Sequence, residues 1–298
     1  MFFEIPYYLE AETDFSGDQR MIIDGHAHVY AEKNAARIVS SFTELHHMEP
    51  TSSVGKGMVP DLLSRMAECH TDFTVLANFA PVKSVERTNE WTLSVAQEYP
   101  QLIPLVSVYP GLPVERVEDW FEKGAKGIKM HNGIQGFDPV DPGLTEIYRF
   151  CESKRIPITF HCGETSRVHL NEYTDISHIM PVLKQFPGIP FVMTHLAAGD
   201  PDTFFKVAEE CPNAVFDTSI TMTGEKCIYR IHDNFWESDE NVVHAFRKIG
   251  CHRITFGSDY PFGNPLSDIR RILNLKLAEA EKNMILGENS HRLYYHEG

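Results

Sequence analysis

Short apolar runs rich in β-branched residues recur along this chain, and the interval between their polar ends is nearly constant. Lys129 and His161 lie 32 residues apart, His161 and His195 lie 34 apart, and His195 and Asp259 lie 64 apart, close to two such intervals. An interval of this size is that of a strand, a crossover helix and the next parallel strand. The runs do not alternate apolar with polar residues, as expected of a parallel sheet covered on both faces. Strands are predicted at the Ile22–Val29 stretch and over Phe73–Ala77, Leu102–Val108, Gly127–Met130, Ile156–Phe160, Ile189–Met193, Ala214–Asp217 and Arg253–Phe256. Helical stretches follow them, among them Pro60–His70, Val82–Tyr99, Pro113–Lys123, Asp141–Lys154, Thr174–Phe186, Pro201–Cys211, Glu240–Ile249 and Leu266–Ala280. Eight such units predict a single-domain α/β fold, the (β/α)8 or TIM barrel. A doubly wound open sheet is the alternative, but no GxGxxG follows the first strand, which removes its usual dinucleotide-binding form.

A length of 298 residues suits one such barrel, read as residues 21–298 behind an aromatic, acidic extension of residues 1–20. Met21 directly precedes the first strand, so translation beginning there is an equally open reading of that segment. The net charge of −15 argues against nucleic acid as a partner, because that function needs a basic footprint. No run of 18 apolar residues suggests a membrane span, and no basic-then-apolar leader opens the chain. Six cysteines without a CxxC pair fit reduced thiols, so a cytoplasmic protein is expected.

Chemistry concentrates where the strands end. The first carries Asp24-Gly25-His26-Ala27-His28, and residues two apart on an extended chain share a face, so His26 and His28 project together. Paired neutral imidazoles suit a divalent metal, although an isolated HxH is more often an accident of a strand end. Later strand ends alter that balance. They carry Lys129 and His131, then His161, then His195, then Gly257-Ser258-Asp259-Tyr260-Pro261, all at the height where catalytic residues of a barrel converge.

This set resembles the amidohydrolase superfamily, and within it the amidohydrolase-2 group of metal-dependent hydrolases and decarboxylases. The closing Ile285–Tyr294 stretch also resembles that group's C-terminal ending. The resemblance implies that His26, His28, His161 and Asp259 ligate one ion per chain, zinc or another divalent metal, with a position left for water. Asp259 would also accept the proton of the attacking water, and His195 would stabilise charge or shuttle a proton as a residue outside the first ligand set or on a second metal. Asp24 is expected to support the ligands rather than to join them.

Lys129 has three open readings: a carbamylated bridge between two metals, as in some superfamily members, a contact for a substrate carboxylate, or a rim lysine satisfying nearby acids. His131 and Arg167, with His169, are further candidates for substrate contact, and the long Tyr30–Val59 stretch is a candidate lid. Tyr229, Arg230 and His232, on the seventh loop, are candidate pocket residues. Cys162 faces away from His161 and is read as buried and inert.

The leading expectation is a hydrolase in which metal-bound water attacks a C–N or C–O bond of a small polar or carboxylated substrate. The alternative is a non-oxidative decarboxylase of an aromatic or dienoic acid. A catalytically dead barrel ranks below both, because the ligand residues are intact. A metal-dependent nuclease ranks last, because its strand-four acid is replaced here by Gly127-Ile128-Lys129-Met130. A small molecule is the expected partner, and a homodimer the expected oligomer if one forms.

Overall fold

The apolar runs become parallel strands whose residues are nearly all buried, and they pair in chain order: β1 Ile23–Ala27, β2 Phe73–Leu76, β3 Leu102–Val106, β4 Gly127–Met130, β5 Ile158–Phe160, β6 Phe191–Met193, β7 Ala214–Asp217 and β8 Ile254–Thr255. The structure is a computed structural model and describes residues 20–45, 55–163, 172–222 and 234–295. Helices follow the strands and cover the outside of the sheet, giving the single-domain (β/α)8 barrel that the spacing predicts. Helix starts agree with local chemistry. Pro60, Pro201 and Pro265 occupy first-turn positions, and the side chains of Asp175, Asp200, Ser238 and Asn264 accept from backbone N–H groups of the first turns. Phe160, Phe191, Phe204, Phe216, Phe246 and Phe256 are fully buried with Trp120 and Trp236. Each such burial stabilises the fold by roughly 1.5–3 kcal/mol.

Barrel closure falls at the candidate site. β8 and β1 meet through Gly25 N–H to Phe256 O (2.9 Å), Asp259 N–H to His26 O (2.8 Å) and His28 N–H to Tyr260 O (2.6 Å). Two glycines permit this approach. A Cβ at Gly25 would lie 2.8 Å from Phe256 O, and one at Gly257 would lie 2.9 Å from the Cβ of His26. The β1–β2 register also shifts between Asp24 and Ala27, a bulge that re-aims the residues leaving the strand.

The helix expected over Leu266–Ala280 is instead two pieces. Pro265–Asn274 ends because Leu275 turns extended and is buried with Leu277, and a helix restarts at Glu279–Asn283. The closing stretch passes through a π turn, Met284–Glu288, into the helix Asn289–Tyr295, which packs beneath β1 and β8. Asn289 Nδ2 donates to Cys251 O (2.8 Å) and Ile254 O (2.6 Å), and Phe256 N–H donates to Ile285 O (2.8 Å). Of the expected N-terminal extension, only Arg20 is among the described residues, and it pairs with Glu279 at 2.9 Å. Among the described residues, five cysteines are free and buried, and no helix is long and apolar enough to cross a membrane.

Candidate metal centre

His26 lies in β1 and His28 just beyond it, and the backbone there brings their Nε2 atoms to 3.2 Å of each other. Asp259 follows β8 and places Oδ1 3.0 Å from His28 Nε2 and 3.6 Å from His26 Nε2. Its backbone is left-handed, with φ 58°. That conformation costs a non-glycine residue of order 1 kcal/mol and is held here by the closure bonds. All three side chains are buried. Burial alone would raise the Asp259 carboxyl, but the electrostatic attraction of the His26 ring, then the hydrogen bond and attraction of His28, hold it down at about 2.

Asp24 ties the two strand ends of this group together. Its carboxyl accepts from Ser258 N (2.9 Å), Ser258 Oγ (2.5 Å) and His26 N (3.1 Å), which joins the backbone on both sides of the closure. Burial pushes this carboxyl up to about 7.

Lys129, fully buried in β4, donates from Nζ to His26 Nε2 at 3.2 Å. Burial lowers this ammonium to about 8. The same desolvation, with the charge of Lys129 next, lowers His26 to about 4, so the imidazole is neutral at pH 7.

His161 follows β5 but stands beside the close donor set rather than within it. Its ring stacks on His131 at 3.9 Å with planes 10° apart, and meets His195 edge-on at 5.1 Å. Phe79, after β2, packs on His131 at 4.4 Å and edge-on to His28 at 5.3 Å. His131 is buried, with Nδ1 lacking a hydrogen-bond partner among the described residues, and desolvation holds it well below the usual histidine range. Arg167, His169, Tyr229, Arg230 and His232 lie outside the described residues. Helix Glu32–Leu45, in the candidate lid, stacks Phe42 on Phe262 at 3.8 Å, and Gly55 N–H donates to Pro261 O at 2.8 Å.

His195 follows β6 and begins a run of left-handed backbone through Leu196, Ala197, Ala198 and Gly199. Burial lowers its imidazole, which keeps it neutral. The residues missed from sequence are Asp217 and Ser219. Asp217 ends β7 with Oδ2 3.0 Å from His26 Nδ1, and Ser219 places Oγ 2.8 Å from His195 Nδ1. Burial would raise Asp217, but the electrostatic attraction and hydrogen bond of the His26 ring, followed by His195 and Ser219, hold its carboxyl below the usual range. The available signal was position, since Asp217 ends a predicted apolar strand just as His161 and His195 follow theirs.

These residues fit a divalent cation. A carboxylate behind Nδ1 leaves the lone pair on His26 Nε2, where it accepts from Lys129 and converges with His28 Nε2 and an ionised Asp259 oxygen. His26, His195 and Asp217 form a second close group, but there Asp217 faces the opposite ring nitrogen of His26.

The family model Amidohydro_2, described as amidohydrolase, matches residues 23–295. No curated protein matches the sequence. Solved structures share the fold at low identity. An uncharacterized TIM-barrel protein from Bordetella bronchiseptica is 21% identical, with TM-score 0.72 over 92% of this chain and 98% of that one. A probable 2-pyrone-4,6-dicarboxylic acid hydrolase from Acinetobacter baumannii, with citric acid bound, is 17% identical, with TM-score 0.67 over 92% and 99% of the two chains. A 5-carboxyvanillate decarboxylase from Novosphingobium aromaticivorans, complexed with manganese and 4-hydroxy-3-methoxy-5-nitrobenzoic acid, is 13% identical, with TM-score 0.69 over 93% and 96%.

Proposed function

Because the chain belongs to the Amidohydro_2 amidohydrolase family, we propose that it is a divalent-metal-dependent hydrolase of a small, carboxylated substrate, using zinc or a similar ion, one per chain. The observation that carries this reading is the convergence of His26 Nε2, His28 Nε2 and Asp259 Oδ1 within 3.6 Å of one another. These three residues would hold the ion, with His161 the family-implied fourth. When bound, the ion supplies Lewis-acid polarisation of a carbonyl and lowers the pKa of water toward neutrality.

The rest is done by this chain's side chains. Asp259, ionised at neutral pH, accepts the proton that water loses as it attacks the substrate carbon. His195, buried and neutral, takes that proton on from Asp259 and returns it to the leaving group. Lys129 and His131, with Arg167, provide the cationic and hydrogen-bonding contacts for a substrate carboxylate. Burial of the donor set excludes bulk water and strengthens each of these interactions.

A second reading, non-oxidative decarboxylation of an aromatic or dienoic acid, is favoured by the ring cluster of Phe79, His131 and His161, which offers aromatic contacts to an unsaturated substrate. The test of both readings is metal content together with a screen of lactones, amides and small carboxylates on wild type and His161→Ala. Water uptake with one equivalent of metal supports the hydrolase, and carbon dioxide release without water uptake replaces it with the decarboxylase. A His161→Ala protein with full metal and full activity removes His161 from the site.

A further inference from the structure

Asp217 and Ser219 stand between two histidines that the fold brings together from β1 and β6. His26 Nδ1 is 3.0 Å from Asp217 Oδ2, and His195 Nδ1 is 2.8 Å from Ser219 Oγ and 3.2 Å from Ser219 O. Ser219 Oγ also reaches His26 Nδ1 at 3.2 Å and makes a very short contact with Asp217 Oδ1. The protons on this chain can be assigned from donor and acceptor capacity alone. A carboxylate and a backbone carbonyl only accept. The Ser219 hydroxyl must therefore donate to Asp217 Oδ1, since two acceptors at that separation would repel. Having spent its proton, Ser219 Oγ accepts from His195 Nδ1–H, which also donates to Ser219 O. His26 Nδ1–H in turn donates to Asp217 Oδ2.

The same carboxylate holds the backbone that carries His195. Asp217 Oδ1 accepts from His195 N (3.0 Å) and Ser219 N (3.1 Å). His195 opens the left-handed run, in which each non-glycine residue costs roughly 1–2 kcal/mol. The far end of the run is pinned by Trp236 Nε1 donating to Gly199 O at 2.7 Å.

We propose that Asp217 and Ser219 are a positioning pair, which fixes the Nδ1–H tautomer on both His26 and His195 and so leaves both Nε2 atoms as lone-pair bearers. The inference rests on the metal-centre reading, in which one of these lone pairs binds the ion and the other takes a proton. It makes Asp217 a support for the ligand His26, not a ligand itself.

The test begins with metal-free wild type, labelled with 15N-histidine, at pH 8. Long-range 1H–15N correlation reads each ring's tautomer, with peaks assigned by their loss in His26→Gln and His195→Gln. Nδ1–H on both rings is expected, and Nε2–H on either overturns the proposal. Asp217→Asn keeps the shape but presents an amide donor, as in other imidazoles backed by a buried aspartate. Its His26 ring is expected to switch to Nε2–H, with zinc still bound at one equivalent but about 10–100-fold more weakly. Unchanged tautomer and affinity, or complete loss of zinc stoichiometry at saturating metal, would each overturn it, the latter by making Asp217 a ligand. Ser219→Thr retains the hydroxyl and is expected to match wild type, whereas Ser219→Ala raises KM or lowers kcat without changing zinc stoichiometry. If wild type binds no zinc, the metal-centre reading fails, and the tautomers still decide the positioning claim.

Discussion

The rim of the barrel has two unlike arcs. Beyond β2 and β3, Asn78, Asn89, Thr92 and Ser107 are buried and neutral, and they satisfy one another. Asn78 Nδ2 donates to Thr92 Oγ1 (3.0 Å), and Asn89 exchanges two hydrogen bonds with the backbone of Ser107 (2.8 and 2.9 Å). From β7 through β8 to β1, buried Asp217 backs His26, and the ring nitrogens of His26 and His28 converge on the Asp259 carboxylate. Both arcs are equally removed from water. In the neutral arc every polar atom in these pairings has found a complementary partner, so nothing in them calls for an ion. The ionisable arc instead accumulates acceptors that only a cation or a proton can reconcile, and its titratable groups are displaced accordingly.

This contrast can be broken or sharpened by experiment. The largest effect is expected from Asp259→Asn, which removes the proton acceptor and one ion donor. Turnover of a metal-loaded enzyme should fall by about 10²–10⁴-fold, and a loss of less than about tenfold would place the chemistry elsewhere on the rim. Zinc at a hundredfold excess over its Kd should raise the unfolding free energy of wild type by about 2.7 kcal/mol. Chemical denaturation with and without zinc measures this, and an equal rise in His28→Ala would deny that arc its ion.

Gly257→Ala forces a methyl against the Cβ of His26, so it should cost about 1–3 kcal/mol of stability and weaken zinc binding together. A urea melt paired with a zinc titration separates a packing effect from a site effect. Asn89→Ala, on the neutral arc, should have the smallest functional consequence. It should lose about 1–2 kcal/mol of stability through the unpaired Ser107 backbone, with kcat and zinc affinity within about twofold of wild type. A tenfold loss of turnover in that variant would show that the two arcs are coupled.

Much of the fold is legible in the sequence, because a parallel barrel strand is a short apolar run and its crossover has a characteristic length. β4 and β7 have the predicted limits, Gly127–Met130 and Ala214–Asp217. The ends of the last elements were not legible. The break after Asn274 depends on burying Leu275 and Leu277 against the body, a demand that local helix periodicity does not contain. At the site, the HxH spacing implied a shared face, and His26 and His28 do meet. The place of His161, flat against His131, depended on ring orientations that strand position leaves open. Asp217 carries no distinguishing sequence signal beyond its position, because a lone acid ending a strand resembles any other.

By itself the sequence determined the repeating strand–helix unit, the polar residues at the strand ends and the glycines where β1 and β8 approach. Those follow from backbone period, burial and steric size, which are properties of neighbouring residues. Only the tertiary structure decided which strand ends share a hydrogen-bonded pair. His26 and Asp217 are 191 residues apart in the chain and 3.0 Å apart in space. That contact exists because β7 and β1 flank β8 at the barrel's closure, and the proton pattern it imposes on two imidazoles depends on that closure alone.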